Sequence, residues 1–224
     1  MNAIKQAEWF TKRVDMISFF TGIEKKTKIN ELMQSINIKE SNVCFDVKEL
    51  MDAINKSEEY SSIDEFYKAY MNKIFSDPLT ILNCVVDYNL LRFVNEKDKN
   101  QLLSVLSKKK DGEASKDISE LKLCAEKIYS NLLITLLNDF EAFSMNFTSG
   151  VADDSIVFDS LHQLYIRFIR SQYVIIAKRN INNTDKYYTH CISLYNEWSL
   201  KRKQLMDEEK MHDNHKIKKK KTIF

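Results

Sequence analysis

Apolar residues recur every three or four positions along the C-terminal half of the chain. That spacing places apolar side chains on one face of a helix, as in an amphipathic helix packed against a core. It predicts three long helices, at residues 118–147, 154–178 and 184–209. Gly150 supplies a left-handed stop after the first of them. Since short connections force neighbouring helices to run antiparallel, we expect residues 118–209 to form an up-down-up three-helix core.

The N-terminal part, residues 1–107, carries shorter helical patterns. They predict helices near residues 2–20, 28–36, 46–56, 61–75, 78–93 and 98–107. The run 61–65 places serine three residues before an acid, which is an N-cap signature, and Pro78 suits a first helical position. Residues 108–117 have neither periodicity nor apolar content, so we expect a linker or mobile loop there, and with it any subdomain boundary.

The first predicted helix has an aromatic-rich apolar stripe and ends near Gly22. One interpretation is an amphipathic helix docked on the bundle; the other is a membrane-surface or dimer helix. Exposed aromatic residues on a helix are well suited to a protein interface. We therefore predict a protein interface made by Trp9, Phe10, Val14 and Phe20.

Composition supports an all-helical chain. Only 3 Gly and 1 Pro occur in 224 residues, although these residues punctuate strands and turns. The predicted fold class is thus all-α: a multi-helix antiparallel bundle with long C-terminal helices and a basic tail. No charge-free run is long enough for a transmembrane helix, and the widely spaced cysteines suggest reduced thiols. We expect a cytoplasmic protein.

Positive charge is concentrated at the C-terminus. Nine basic and four acidic residues follow Ser199, whereas the whole chain has 34 basic and 32 acidic residues, so the remainder is mildly acidic. Residues 210–224 are predicted to be a disordered basic tail. Its lysines are Lys216, Lys218, Lys219, Lys220 and Lys221. They could be simply solvated, or could bind a phosphate backbone, an anionic membrane or an acidic partner.

A second basic strip is predicted on the middle long helix. Arg167 and Arg170 lie one helical turn apart there, and Lys178 and Arg179 follow them. Together with the tail, these residues are the candidates for contact with nucleic acid or another anionic partner.

Candidate polar chemistry is sparse. In an antiparallel helix pair, Glu141 falls opposite His162, and Asn138 could reach Tyr165. We predict a buried polar link among Asn138, Glu141 and His162, which would either fix helix register or form a general acid/base pair. Common nucleotide-binding, zinc-protease and hydrolase motifs are missing, and the pair of His212 and His215 is interpreted as incidental. The sequence favours a protein without catalytic residues, metal or cofactor.

Residues 128–200 resemble an uncharacterised all-helical domain family of bacterial and phage-associated proteins. The resemblance is carried by a Leu-Asn-x-Phe-Glu run containing Asn138 and Glu141, a turn with Gly150 and Asp153, and the late Trp198. Members often follow an N-terminal membrane helix, which this sequence does not contain. The resemblance implies a bacterial or phage source.

These observations lead to two hypotheses of function. The first is a non-enzymatic interaction or regulatory subunit with a protein partner or a second copy as its target. The family resemblance places such an accessory subunit in a bacterial host–phage conflict system. The alternative is a nucleic-acid-associated protein that binds the phosphate backbone through the lysine-rich tail.

Overall fold

The computed structural model describes residues 8, 12–38, 47–110, 118–181, 184 and 186–221, without the side chains of 108–110, 156 and 212–221. Within these ranges the chain forms ten α-helices and no strand, which confirms the all-α bundle. The helices are α1 (Val14–Thr27), α2 (Ile29–Ser35), α3 (Val47–Ser57), α4 (Ile63–Ile74), α5 (Pro78–Asp87), α6 (Glu96–Lys110), α7 (Ile118–Thr148), α8 (Ser155–Ser171), α9 (Tyr173–Asn180) and α10 (Thr189–Lys221). A short 3₁₀ helix, Leu90–Phe93, follows α5.

One hydrophobic core joins the two halves of the chain. It contains buried residues from every helix between α1 and α10, and α7 and α8 both pack against α10. The apolar face of α7 supplies much of this core through a run of leucine and aromatic side chains. The long C-terminal helices therefore form the scaffold on which the shorter N-terminal helices lie.

Local signals place the starts of two helices as predicted. The hydroxyl of the N-cap residue Ser62 accepts a hydrogen bond from the Glu65 N–H, and the Glu65 carboxylate accepts one from the N–H of Ser61, the residue before the cap. At α5, the Asp77 carboxylate accepts from the Thr80 N–H while Pro78 occupies the first helical position.

The first helix does not end at Gly22, as the sequence suggested. α1 continues to Thr27, and the left-handed residue that ends it is Lys28, with φ 53°. Gly22 lies inside α1, where a Cβ would be 3.4 Å from the Tyr88 hydroxyl, within ordinary contact distance. A glycine inside a helix and a glycine that ends one can have the same local sequence pattern.

The middle long helix is broken at Gln172, although one continuous helix was predicted. Gln172 is fully buried, and its side-chain amide donates to the Glu24 carboxylate at 2.7 Å. Its N–H is shared between the carbonyls of Phe168 and Ile169. The chain continues as α9, whose residues from Tyr173 to Ala177 are all buried and which packs on α3 and α4. A buried polar bond to α1 thus coincides with the break in the predicted helix.

The last helix runs past its predicted end at Glu209. α10 is helical to Lys221, so the segment predicted as a tail, residues 210–224, is helical in its backbone over most of its length. Residues 199–221 contain no glycine or proline, and lysine, glutamate and methionine favour helix. None of the described helices is long and apolar enough to cross a membrane.

Candidate functional site

Glu141 on α7 caps the last long helix. Its two carboxylate oxygens accept hydrogen bonds from the backbone N–H groups of His190 at 3.1 Å and Cys191 at 2.9 Å. Both N–H groups belong to the first turn of α10, where they have no partner within the helix. A carboxylate is also favoured there by the helix dipole. Glu141 therefore ties α7 to the start of α10.

The predicted link between Glu141 and His162 is wrong. The Nδ1 of His162 lies 2.6 Å from the Phe158 carbonyl of its own helix, and its ring stacks on the Phe158 ring at 4.3 Å. Asn138 is exposed, so it is not part of a buried link either. The antiparallel arrangement fixed which residues lie at the same height, but the rotation of each helix about its axis turned these side chains to different faces.

A buried polar seam joins α7, α8 and α10 beside Glu141. We define the seam as Ser144, Tyr165 and Cys191. The Ser144 and Tyr165 hydroxyl oxygens lie 2.6 Å apart, and the Tyr165 hydroxyl donates to the Cys191 carbonyl at 3.1 Å. Adjacent to it, the Thr148 hydroxyl and His190 Nδ1 lie 2.6 Å apart. Sequence reasoning missed this seam, since its three residues come from three different helices.

Burial disfavours ionisation of the groups in the seam. Burial, and next the charge of Glu141, raise the pKa of the Cys191 thiol well above its ordinary value. Burial also raises the pKa of Tyr165 well above its ordinary value. A thiol must ionise to act as a nucleophile or metal ligand, and both groups stay neutral near pH 7. The seam fixes the relative positions of three helices.

Trp198 fills the space next to the seam. It is fully buried, and rings of Tyr165 and Phe158 lie 5.0 Å and 5.7 Å from it. Its indole N–H donates to the Asp154 carboxylate at 2.9 Å, which satisfies the one polar atom that burial would otherwise strand. The late tryptophan noted in the sequence is therefore a core anchor of α10.

A second polar group lies at the start of α6. Asp98 is buried and bonds to the side chains of Lys127, Asn95 and Asn131. These partners, Lys127 first, lower the pKa of Asp98. The Asn95 side chain also caps the Asp98 N–H, so the group anchors α6 on α7.

The basic residues of α8 line a cavity of about 820 Å³. Arg167 and Arg170 line it. So do Lys25 of α1, Lys28 at the end of α1, and Arg202 of α10. The other two residues of the predicted basic strip, Lys178 and Arg179, are not among the residues that line the cavity. Lys178 forms an ion pair with Asp64, and the Arg179 guanidinium donates to the Tyr188 hydroxyl.

The predicted protein interface is only partly described. Trp9 and Phe10 lie outside the described residues, and Val14 is 37% exposed. Phe20 was wrongly assigned to this interface, because it is fully buried, with its ring 5.0 Å from that of Tyr129. The apolar pattern of this helix could not reveal which of the four residues face the core.

The tail lysines Lys216, Lys218, Lys219, Lys220 and Lys221 belong to α10, with side chains outside the described set. The described residues hold no group of three His, Cys, Asp or Glu side chains that could bind a metal ion. His212 and His215 fall outside that search, and their interpretation as incidental stays a prediction.

The polar groups of the core thus act within the fold, while Arg167, Arg170 and Arg202 face a cavity. The end of α10 forms the other distinctive surface. No family model, curated protein or solved structure matches this chain.

Proposed function

We propose that this protein is a non-enzymatic accessory subunit that binds a partner protein through the end of α10. We call residues 203–221 the α10 extension. Every side chain from 203 to 211 is exposed, whereas Cys191, Leu194 and Trp198 of the same helix are fully buried. This change from buried to exposed along one helix carries the proposal.

The extension lacks the usual source of helix stability. Most helices in proteins are stabilised by packing an apolar face, and a helix whose side chains are all exposed keeps little of that stability in water. The ion pair between Lys210 and Asp207, at 3.9 Å and largely exposed, adds little. A partner surface would supply the missing packing.

The chemistry of the extension favours a protein partner over nucleic acid. Leu205, Met206 and Met211 are 43%, 45% and 64% exposed, and phosphate binding gives such side chains no role. The acidic run 207–209 would be repelled by a phosphate backbone. The partner we propose has an apolar groove for these side chains and an acidic rim for the lysines at residues 216–221.

The use of the core polar groups supports a non-enzymatic role. Glu141 caps α10, His162 bonds within its own helix, and Asp98 anchors α6. Glu141 and His162, the two groups considered for acid/base chemistry, each form a hydrogen bond that stabilises the fold. The buried Asp98 carboxylate does the same. The bacterial host–phage setting stays a prediction of the family resemblance.

The test compares three forms of the tagged chain expressed in its source cells. In the first variant Leu205, Met206 and Met211 become Ala; in the control variant the equally exposed Leu123 and Met145 of α7 become Ala. Complexes are purified with and without nuclease, and their stoichiometry is measured by mass spectrometry and light scattering. We expect a nuclease-resistant, stoichiometric partner with the native and control chains and its loss from the first variant.

All three forms should melt at nearly the same temperature, because the changed side chains are exposed. A native chain that purifies as a lone monomer would refute the proposal, as would a partner that the first variant retains. The alternative, binding to a phosphate backbone, would be supported by two results together. Nuclease would remove all bound material, and changing Lys218 to Lys221 to Gln would abolish binding.

A further inference from the structure

Three arginines from two helices converge on the cavity beside α8. Arg167 and Arg170 come from α8 and Arg202 from α10, and Lys25 of α1 lines the same space. Lys25 and Arg202 are far in sequence from the arginine pair of α8, so only packing brings these charges together. Like charges gathered around one cavity repel each other unless an anion lies between them.

The carboxylates that the structure describes do not neutralise this cluster. Within the described residues, Arg167, Arg170 and Arg202 form no ion pair or hydrogen bond with another side chain. Of the two acidic residues on the cavity wall, Glu31 pairs with Lys28 at 3.4 Å and with Lys73 at 3.5 Å. The other, Glu24, is buried and accepts the Gln172 amide. The cavity therefore keeps an excess of positive charge.

Arg170 supplies an independent sign that an acceptor is missing. Its Nε is buried and has no hydrogen-bond partner in the part of the chain that the structure describes. Burying a guanidinium N–H without an acceptor is costly, and such groups are rare in native proteins. An oxygen of a bound anion would satisfy it.

The size and lining of the cavity indicate a small organic anion. Its volume of about 820 Å³ is in the range of small-molecule sites. Guanidinium groups bind phosphate oxygens in pairs and suit this ligand better than any other side chain. The rest of the wall is partly apolar, with Ile29, Met33 and Leu164 among its residues.

We propose that this cavity binds a small phosphate-bearing ligand with two or more negative charges, as in the pyrophosphate group of a nucleotide. Arg167, Arg170 and Arg202 hold the phosphates, and the apolar wall contacts the remainder of the ligand. This site is separate from the α10 extension, and its occupation does not depend on a protein partner.

Isothermal titration calorimetry of the full chain tests the site with two probes, sodium pyrophosphate and ATP. Saturable binding of one equivalent is expected for at least one probe, and it should weaken as salt is raised. Equal affinities mean that the phosphates alone are recognised, and tighter binding of ATP means that the apolar wall takes part. Both results support the site.

The variant Arg167→Gln changes an exposed side chain and should fold normally; it should weaken binding about tenfold, as expected when one charge-assisted contact is lost. Arg167→Gln combined with Arg170→Gln should weaken it further. The control is Arg92→Gln, which removes one exposed arginine that pairs with Asp15 outside the cavity, and it should leave binding unchanged.

The proposal is overturned if neither probe gives saturable heat. It is also overturned if Arg167→Gln binds as tightly as the native chain and the control Arg92→Gln. Neither result bears on the partner complex of the α10 extension, which is measured separately.

Discussion

The two ends of α10 belong to one continuous helix but are held in different ways. In the first part, residues 189–202, Cys191, Leu194 and Trp198 are fully buried against α7 and α8. In the α10 extension, every described side chain is exposed. The comparison shows that helical backbone alone does not reveal what stabilises a segment.

The difference has a clear origin in the sequence and the packing. The first part has apolar residues at helical spacing and a carboxylate from α7 on its first N–H groups. The extension has helix-forming residues but no apolar stripe, so nothing turns one face toward the bundle. Substitutions in the two parts of α10, and a change of pH, should separate their contributions to stability.

Replacing Trp198 by Ala should have the largest effect. The change leaves a cavity among Phe143, Phe158 and Tyr165 and removes the indole donor from the Asp154 carboxylate, which keeps its ion pair with Lys201. We expect a loss of about 3–5 kcal/mol in the free energy of unfolding, measured by urea denaturation. A loss below about 1 kcal/mol would mean that the first part of α10 is not a core element.

Leu194→Ala and Leu205→Ala form a matched pair, with the same substitution in the two parts of one helix. Leu194 is fully buried, and Leu205 is 43% exposed. Leu194→Ala should cost about 2–4 kcal/mol, whereas Leu205→Ala should stay within about 0.5 kcal/mol, both from urea denaturation. Equal costs would show that the extension packs on the bundle in solution.

Glu141→Gln tests the cap that holds the packed part. The amide keeps one acceptor for the His190 and Cys191 N–H groups but loses the charge that favours the helix start. We expect a loss of about 1 kcal/mol in the free energy of unfolding. An unchanged stability combined with loss of a cellular activity would instead return Glu141 to the acid/base role considered from the sequence.

Alkaline pH should weaken the packed part through Cys191. Its pKa is raised by burial in the folded chain, so the unfolded chain releases the thiol proton first as pH rises. This contribution to stability is complete below the ordinary thiol pKa of about 8.5 and is lost above it. The free energy of unfolding, measured between about pH 7 and pH 10, should fall less steeply in Cys191→Ala than in the native chain. Identical slopes would contradict this assignment.

Local chemistry explains which predictions were confirmed. The start of α4 depends on Ser62 and Glu65, and the start of α5 on Asp77 and Pro78, all within four residues of each helix start. The bounds of α7 follow from its periodic leucines and aromatics. Where a long-range contact intervened, the prediction failed: the Glu24 carboxylate binds Gln172 across the fold and coincides with the break between α8 and α9.

The all-α class, the long helices and several of their starts could be predicted from the sequence, because these depend on periodicity and on bonds within one turn of chain. Tertiary packing was needed to show that Phe20 is a core residue, that Glu141 caps α10, and that Arg202 and Arg167 line one cavity. Each of these depends on how far a helix is rotated about its own axis and on which distant helix lies beside it. Packing of the whole core sets both, and no local pattern records them.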